Sequence, residues 1–165
     1  MTFRKRIDRL LETLLVVLMG AMVLNVLWQV FTRFVISSPS SYTEEIARYL
    51  LIWVGLLGAA YATGQGSHLA VDILPTRLKG RARFRLQLLL KALVASFAFA
   101  VLVVGGAQLV RLTLSLGQTS AALHIPLGYV YLVLPVSGLI IVFFVLDQAR
   151  DDLRLLRQVD LEEAP

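Results

Sequence analysis

The chain has 165 residues, of which 58% are hydrophobic and 16% are charged, and its formal net charge is +5. Soluble domains carry about 25% charged residues, whereas the apolar residues here gather into four long runs, so the composition excludes a soluble protein and predicts an integral membrane protein. The absence of cysteine excludes disulfides, thiol redox chemistry and cysteine metal sites.

The first apolar run predicts a membrane helix over about 7–34. It follows a basic start, as in a secretory signal, but it is about twice as long as the ~7–15 apolar residues of a signal peptide, and no clear cleavage site follows. We therefore expect a helix that is not cleaved. Asn25 and Gln29 lie one turn apart on one face, where we favour hydrogen bonds to a neighbouring helix over a polar lining for a substrate path.

A serine-rich turn follows, and helix two is predicted over about 43–63. Ser41 and Glu44 form the S-x-x-E pattern of a capping box at its start. A helix of about 20 residues is about 30 Å long, which is enough to cross the hydrocarbon core of a bilayer.

Helix two has two different faces when its residues are placed about 100° apart. One face combines charged and small residues: Glu44, Arg48, Gly55, Ala59, Ala62 and Gly66. The opposite face carries larger side chains: Leu50, Trp53, Val54, Leu57 and Tyr61. Small residues let another helix approach closely, so we expect the first face to contact protein and the second to contact lipid. The protein is either this bundle or another membrane subunit, and the sequence leaves both open.

The loop over 64–85 carries five basic residues and a single acid, Asp72. Its sub-stretch 68–80 alternates apolar and basic residues, which fits an amphipathic segment that lies on the membrane surface and is broken at Pro75. An ordinary basic cytoplasmic loop fits equally well.

Helix three is predicted over about 84–112. Lys91 lies two turns inside it, from where its long side chain can reach back to the membrane surface. Gly105 and Gly106 permit close packing or a bend.

Helix four is predicted over about 127–147, directly after Pro126, because proline suits the first turn of a helix. Pro135 should kink this helix in the middle, since proline cannot donate a backbone hydrogen bond. The tail beyond Asp147 mixes acids with arginines, as a solvated helix end does.

Lysine and arginine are distributed unequally between the two sides of the predicted bundle. Twelve lie in the N-terminus, the long loop and the C-terminal tail, whereas only Arg33 and Arg111 lie on the other side. This bias predicts that both termini and the long loop are cytoplasmic. We therefore expect an all-α membrane protein with four transmembrane helices in a single domain over 1–165. The positive charge follows from this topology, so we expect no nucleic-acid binding.

No catalytic or metal-binding constellation appears in the sequence. The two histidines, His68 and His124, fall on opposite sides of the membrane, too far apart to share a haem or a metal, so we expect neither an enzyme nor a cofactor. The central part of every predicted helix lacks acids, whereas self-sufficient transporters usually keep ionisable groups near the midplane. The sequence therefore argues against autonomous ion-coupled transport.

The stretch over 27–74 contains an arginine that closes helix one, a serine-containing turn, an E-E-x-x-R-Y segment, a W-x-x-x-L-G-A-A run, and then a glycine, a histidine and a V-D pair. It resembles the small permease (DctQ-type) subunit of tripartite ATP-independent periplasmic (TRAP) transporters. A weaker match is the turn at Pro126 with the later Pro135, although His124 and Gly128-Tyr129 stand where the family has a small residue and a tryptophan. The central matching positions are Arg33, Glu44, Glu45, Arg48, Tyr49, Trp53, Gly58, Ala59, Ala60, Gly66, His68, Val71 and Asp72.

The resemblance implies a non-catalytic subunit of a sodium-coupled secondary transporter that imports organic acids, often carboxylates, across the bacterial inner membrane. It implies two partners: a large permease subunit that holds the substrate and sodium sites and moves like an elevator, and a periplasmic binding protein. The small subunit would brace the large one in the lipid membrane and help to dock the binding protein. Glu44, Glu45 and Arg48 would then lie on the periplasmic side, and His68 and Asp72 on the cytoplasmic side, where they order the basic loop.

The residues expected at subunit interfaces or in structural roles are Arg33, Glu44, Glu45, Arg48, Trp53, Gly55, Gly58, Ala59, Ala62, His68, Asp72, Pro126 and Pro135. The alternative function is a stand-alone transporter or channel that works as a homo-oligomer. A third class, a membrane enzyme or electron carrier, would reveal itself by a bound chromophore or metal.

Overall fold

The computed structural model describes residues 2–36, 41–66 and 81–162. Within these ranges the chain is helical, apart from turns and one isolated bridge between Thr119 and Pro126. The helices are α1 (Thr2–Phe34), α2 (Ser41–Gly64), α3 (the consecutive segments Arg81–Phe97, Ala98–Gly105 and Gly106–Ser115, the middle one π-helical), α4 (Leu127–Tyr131) and α5 (Val133–Glu162). Four spans are long and apolar enough to cross a membrane, namely α1, α2, α3, and α4 joined to α5. The predicted all-α, four-span membrane fold is confirmed.

The start of α1 meets the end of α2 and the middle of α5. The Arg4 guanidinium lies 3.0 Å from the Asp147 carboxylate and donates to the Gly64 carbonyl at 2.8 Å. Near the start of α2, Asn25 donates to the Thr43 carbonyl at 2.8 Å, which is the kind of interhelical bond expected for it. Helices α1 and α2 are therefore antiparallel. We call the two ends of the bundle the Arg4 end and the Thr43 end.

Helix α5 is the central helix of the bundle. It packs between α2 and α3, and α1 packs mainly on α2. Val133 and Phe144 of α5 are buried together with Leu11 of α1 and Leu57 of α2. A second buried cluster joins α2, α3 and α5 and consists of Ala60, Ala98, Ile141 and Val145. The span that contains α5 is consequently the most buried of the four.

The predicted lipid face of α2 packs in the bundle through Trp53, Leu57 and Tyr61, so its predicted contact with lipid is wrong. Leu57 is only 2% exposed, and Trp53 and Tyr61 pack against the same core cluster. Lipid tails and the interior of a membrane bundle are both apolar, so large apolar side chains suit either environment. Hydropathy alone therefore cannot tell the two faces apart.

Two glycines let α3 and α5 approach each other closely. A Cβ atom at Gly138 would lie 2.7 Å from the Cβ of Leu102, and one at Gly106 would lie 2.8 Å from the Cβ of Leu134. The close packing expected at Gly106 is therefore confirmed, whereas a Cβ at Gly105 would meet only a carbonyl of its own helix, at 3.7 Å. Leu102 belongs to the π-helical segment, so the irregular part of α3 is part of this crossing.

The fourth span is interrupted at Leu132, between α4 and α5, one turn before Pro135. Proline has no N–H, so the carbonyl of Tyr131 loses its usual helical donor. The Trp53 indole Nε1 donates to the carbonyl of Val130 at 3.0 Å and so satisfies a backbone acceptor beside the break. The kink predicted at Pro135 is thus present as an interruption near the start of the span rather than in its middle.

We expect Gly138→Ala to destabilise the bundle by about 1–3 kcal/mol, because the added Cβ would press on the Leu102 Cβ and on the backbone nitrogen of Val103 at 3.1 Å. Thermal unfolding of the purified chain in detergent measures the effect. Gly20→Ala is the matched control, since a Cβ at Gly20 meets nothing within 4 Å. Equal unfolding temperatures of the two variants would contradict the close crossing.

Candidate functional site

Glu45, near the start of α2, holds the loop between α3 and α4. Its carboxylate oxygens accept hydrogen bonds from the backbone N–H groups of Ala121, Ala122 and Leu123 at 3.1, 2.9 and 2.9 Å. Tyr49, one turn further along α2, donates its hydroxyl to the same carboxylate at 2.6 Å. Hydrogen bonds to an ionised acceptor are roughly twice as strong as neutral ones. We call these five residues the Glu45 latch.

The loop presents three consecutive N–H groups to one carboxylate because its backbone folds back on itself. His124 has a φ of 56°, in the left-handed region, where the chain reverses. The N–H of Ser120 donates to the Ile125 carbonyl at 2.9 Å, and that of Leu127 donates to the Gln118 carbonyl at 3.0 Å. Such a concave set of amides suits an anion. The Glu45 carboxylate therefore accepts hydrogen bonds from the three backbone N–H groups that the folded loop presents on one side.

The neighbouring Glu44 faces outward and pairs with Arg48 at 3.3 Å, as the i, i+4 spacing predicts. The two side chains are 67% and 66% exposed, so the pair contributes little to stability. Arg33 is exposed at the same end, with its guanidinium 6.0 Å from the centre of the Phe34 ring. The adjacent glutamates thus differ in role, since Glu45 binds the loop and Glu44 is available to solvent or to a partner.

The small-residue face of α2, formed by Gly55, Gly58, Ala59 and Ala62, lies mostly outside the bundle. Gly55 and Ala59 are exposed, and Ala62 is half-buried. A Cβ at Gly55 or at Gly58 would meet nothing within 4 Å. The sequence left open whether this face packs within the bundle, and in the described part of the chain it does not. The exposed ion pair continues the face toward the Thr43 end.

Polar contacts at the Arg4 end join the other helices. Lys91 of α3 lies 2.6 Å from the Asp152 carboxylate of α5, and each side chain is 18% exposed. Gln148 of α5 donates to the carbonyl of Thr63 in α2 at 2.7 Å. Lys91 is predicted to reach toward the membrane surface, and its ammonium ends in this ion pair. The pairing could not be predicted, because Asp152 lies beyond the predicted end of helix four.

Two of the predicted site residues, His68 and Asp72, lie outside the described residues, as does the basic stretch proposed for the membrane surface. Pro126 directly precedes α4, with a φ of −59°, and Pro135 lies in the first turn of α5. Within residues 2–36, 41–66 and 81–162, no three histidine or carboxylate side chains are grouped so that they could hold a metal ion.

One sequence signal could have identified the Glu45 latch in part. Glu45 and Tyr49 are spaced i, i+4, which places their side chains together on a helix. The three amide donors could not be found in this way, since every residue except proline has a backbone N–H group. Only the position of the loop shows which donors the carboxylate meets.

Comparison with known proteins matches most of the chain to one family. Residues 22–155 match the model of the tripartite ATP-independent periplasmic transporters, DctQ component. The chain is 31% identical over 136 residues to the sialic acid TRAP transporter small permease protein SiaQ of Vibrio cholerae, which covers 79% of each chain. It is 29% identical over 102 residues to the C4-dicarboxylate TRAP transporter small permease protein DctQ of Rhodobacter capsulatus, covering 62% of this chain and 44% of that one.

A third relative is much longer than this chain. The isethionate TRAP transporter permease protein DctMQ of Oleidesulfovibrio alaskensis is 34% identical over 114 residues, which are 68% of this chain but only 18% of that protein.

We expect Glu45→Gln to destabilise the loop over 117–126, because an amide carries no charge and presents one oxygen instead of two to the three N–H groups. Hydrogen exchange at Ala121, Ala122 and Leu123 should accelerate. Glu44→Gln removes the same charge from an exposed pair and should leave this exchange unchanged. The latch would be refuted if both variants exchanged alike.

Proposed function

The chain belongs to the DctQ component family of the tripartite ATP-independent periplasmic transporters, and on this premise we propose that it braces a large permease subunit in the inner membrane. It is a small permease subunit of a TRAP transporter and thus a transporter component rather than an enzyme. The large permease subunit and a periplasmic binding protein are its proposed partners. The chain matches only 18% of the longer DctMQ permease protein. The presence of a matching segment and further permease sequence in one protein supports a close association between this chain and a large permease subunit.

The proposed transport reaction is the sodium-coupled import of an organic acid, with the substrate and sodium sites on the large subunit. The relatives named for sialic acid, C4-dicarboxylates and isethionate support an organic acid as substrate, since the first two carry carboxylates and isethionate is a sulfonate. The absence of acids from the central part of every predicted helix supports placing the coupling site outside this chain.

The proposed contact with the large subunit is the small-residue face of α2. The observation that carries this proposal is that Gly55 and Ala59 are exposed while Trp53, Leu57 and Tyr61 of the same helix pack in the bundle. Small residues permit another helix to come close, and van der Waals packing, to which the exposed Leu51 one turn before Gly55 adds, then drives association in lipid. The exposed pair of Glu44 and Arg48 would add polar contacts at the Thr43 end.

The proposed orientation places the Arg4 end in the cytoplasm and the Thr43 end in the periplasm, as the distribution of lysine and arginine favours. The loop over 117–126 would then face the periplasm. Because the Glu45 latch holds this loop in one shape, it offers the periplasmic binding protein a preformed surface, which reduces the entropy cost of docking.

We expect uptake of a carboxylate into proteoliposomes only when this chain, the large permease subunit and the binding protein are all present with a sodium gradient. Radiolabelled substrate measures the uptake, and omitting each component in turn provides the controls. Transport by the purified chain alone would refute the accessory role and would establish the homo-oligomeric alternative.

We expect Ala59→Leu to reduce co-purification with the large subunit at least about tenfold, because a bulky side chain on the small-residue face keeps the partner helix at a distance. Ala92→Leu is the matched control, since Ala92 is an exposed alanine on α3. Unfolding temperatures of both variants in detergent verify that the bundle is intact. Equal recovery of the large subunit with both variants would argue against α2 as the interface.

A further inference from the structure

The start of α1 carries three exposed cations, of which Lys5 also borders a second groove beside α5. Lys5, Arg6 and Arg9, which we call the outward cations, are exposed. Together with Leu10 and Thr13 they line a surface groove of about 550 Å³. At about 100° per residue, all five residues fall on one side of the helix.

The opposite side of α1 is the packed side, and its one cation is already neutralised. Leu11 on that side is 3% exposed. Arg4 lies 3.0 Å from the Asp147 carboxylate and 4.0 Å from that of Asp8. The outward cations form no ion pair with any residue that the structure describes. The protein thus pairs Arg4 directly, whereas the outward cations have no ion pair among the described side chains, although Lys5 also borders the groove that Asp8, Asp147 and Asp151 line.

The groove changes from charged to apolar along the helix. Val16 and Val17, one turn beyond Thr13 on the same side, are 68% and 60% exposed, and Leu10 inside the groove is 68% exposed. The Thr13 hydroxyl donates to the carbonyl of Arg9 at 2.9 Å, so the hydrogen-bond donors that remain are those of the cations. A phospholipid has the same order, with an anionic phosphodiester above apolar acyl chains.

We propose that the outward cations bind the headgroup of one anionic phospholipid, whose acyl chains lie along Leu10, Val16 and Val17. Arginine and lysine donate to phosphate oxygens with charge-assisted hydrogen bonds. The site belongs to the membrane leaflet at the Arg4 end. Charge complementarity, together with exposed apolar side chains directly beside the cations, selects a lipid over a soluble anion, which would gain nothing from the apolar part.

The test uses the full chain, delipidated in mild detergent and titrated with lipid under native mass spectrometry. Phosphatidylglycerol should bind as one tight adduct, and phosphatidylcholine with the same acyl chains should bind roughly tenfold more weakly or worse. Lys5→Gln/Arg6→Gln/Arg9→Gln should lose the preference between the two lipids. The charge-preserving variant Lys5→Arg/Arg6→Lys/Arg9→Lys should keep it.

The matched control is Arg33→Gln/Arg111→Gln/Arg150→Gln, which removes the same charge from exposed positions outside the groove and should bind phosphatidylglycerol like the unaltered chain. Circular dichroism verifies that each variant remains helical.

Four results would overturn the proposal. Equal binding of the two lipids by the unaltered chain would show that the site is not selective for anionic lipid. Displacement of phosphatidylglycerol by millimolar inorganic phosphate would identify a free-phosphate site. Equal losses in the two glutamine variants would show an effect of net charge alone. If the Lys5→Gln/Arg6→Gln/Arg9→Gln variant kept its phosphatidylglycerol but no longer co-purified with the large permease subunit, the outward cations would be a contact with that subunit and not a lipid site.

Discussion

A polar group inside a membrane bundle has to find its partner within the protein, and most of the specific contacts of this chain follow from that constraint. Asn25 donates to a carbonyl of α2, Trp53 to a carbonyl beside the break in the fourth span, and Gln148 to a carbonyl of α2. Each of these bonds joins two helices. Apolar surfaces in lipid have little preference among neighbours, so these few polar groups contribute to the arrangement of the helices alongside close packing.

The same constraint operates at the two ends of the bundle, where charges are only partly surrounded by water. At the Thr43 end, Glu45 takes the three amide donors of a loop that follows α3. At the Arg4 end, the ion pairs of Arg4 and Lys91 join α1 and α3 to the central helix α5. Between these ends, Gly106 and Gly138 let α3 and α5 interlock. Polar contacts therefore join the helices at both ends of the bundle, and close packing joins α3 and α5 between these ends.

Such a bundle suits a subunit that supports a moving partner. Most of the internal polar side chains that the structure describes bond within the bundle, and two distinct surfaces of the described residues lie on the outside. One is the small-residue face of α2, which includes Gly55 and Ala59, and the other is the row of outward cations on α1. In the proposed transporter, the first surface contacts the large permease subunit and the second contacts lipid, so the subunit connects the permease to the surrounding membrane.

The sequence by itself determined the four spans and the Glu44–Arg48 pair, because hydrophobic length and i, i+4 spacing are local properties of the chain. It could not determine which face of α2 meets lipid, since lipid and a helical interior favour the same apolar side chains. Nor could it show that Glu45 binds a loop 76 residues away, because every residue except proline has a backbone N–H group and the sequence does not distinguish the three that bind. Those contacts depend on how α3 and α5 pack beside α2, and only the tertiary structure decided them.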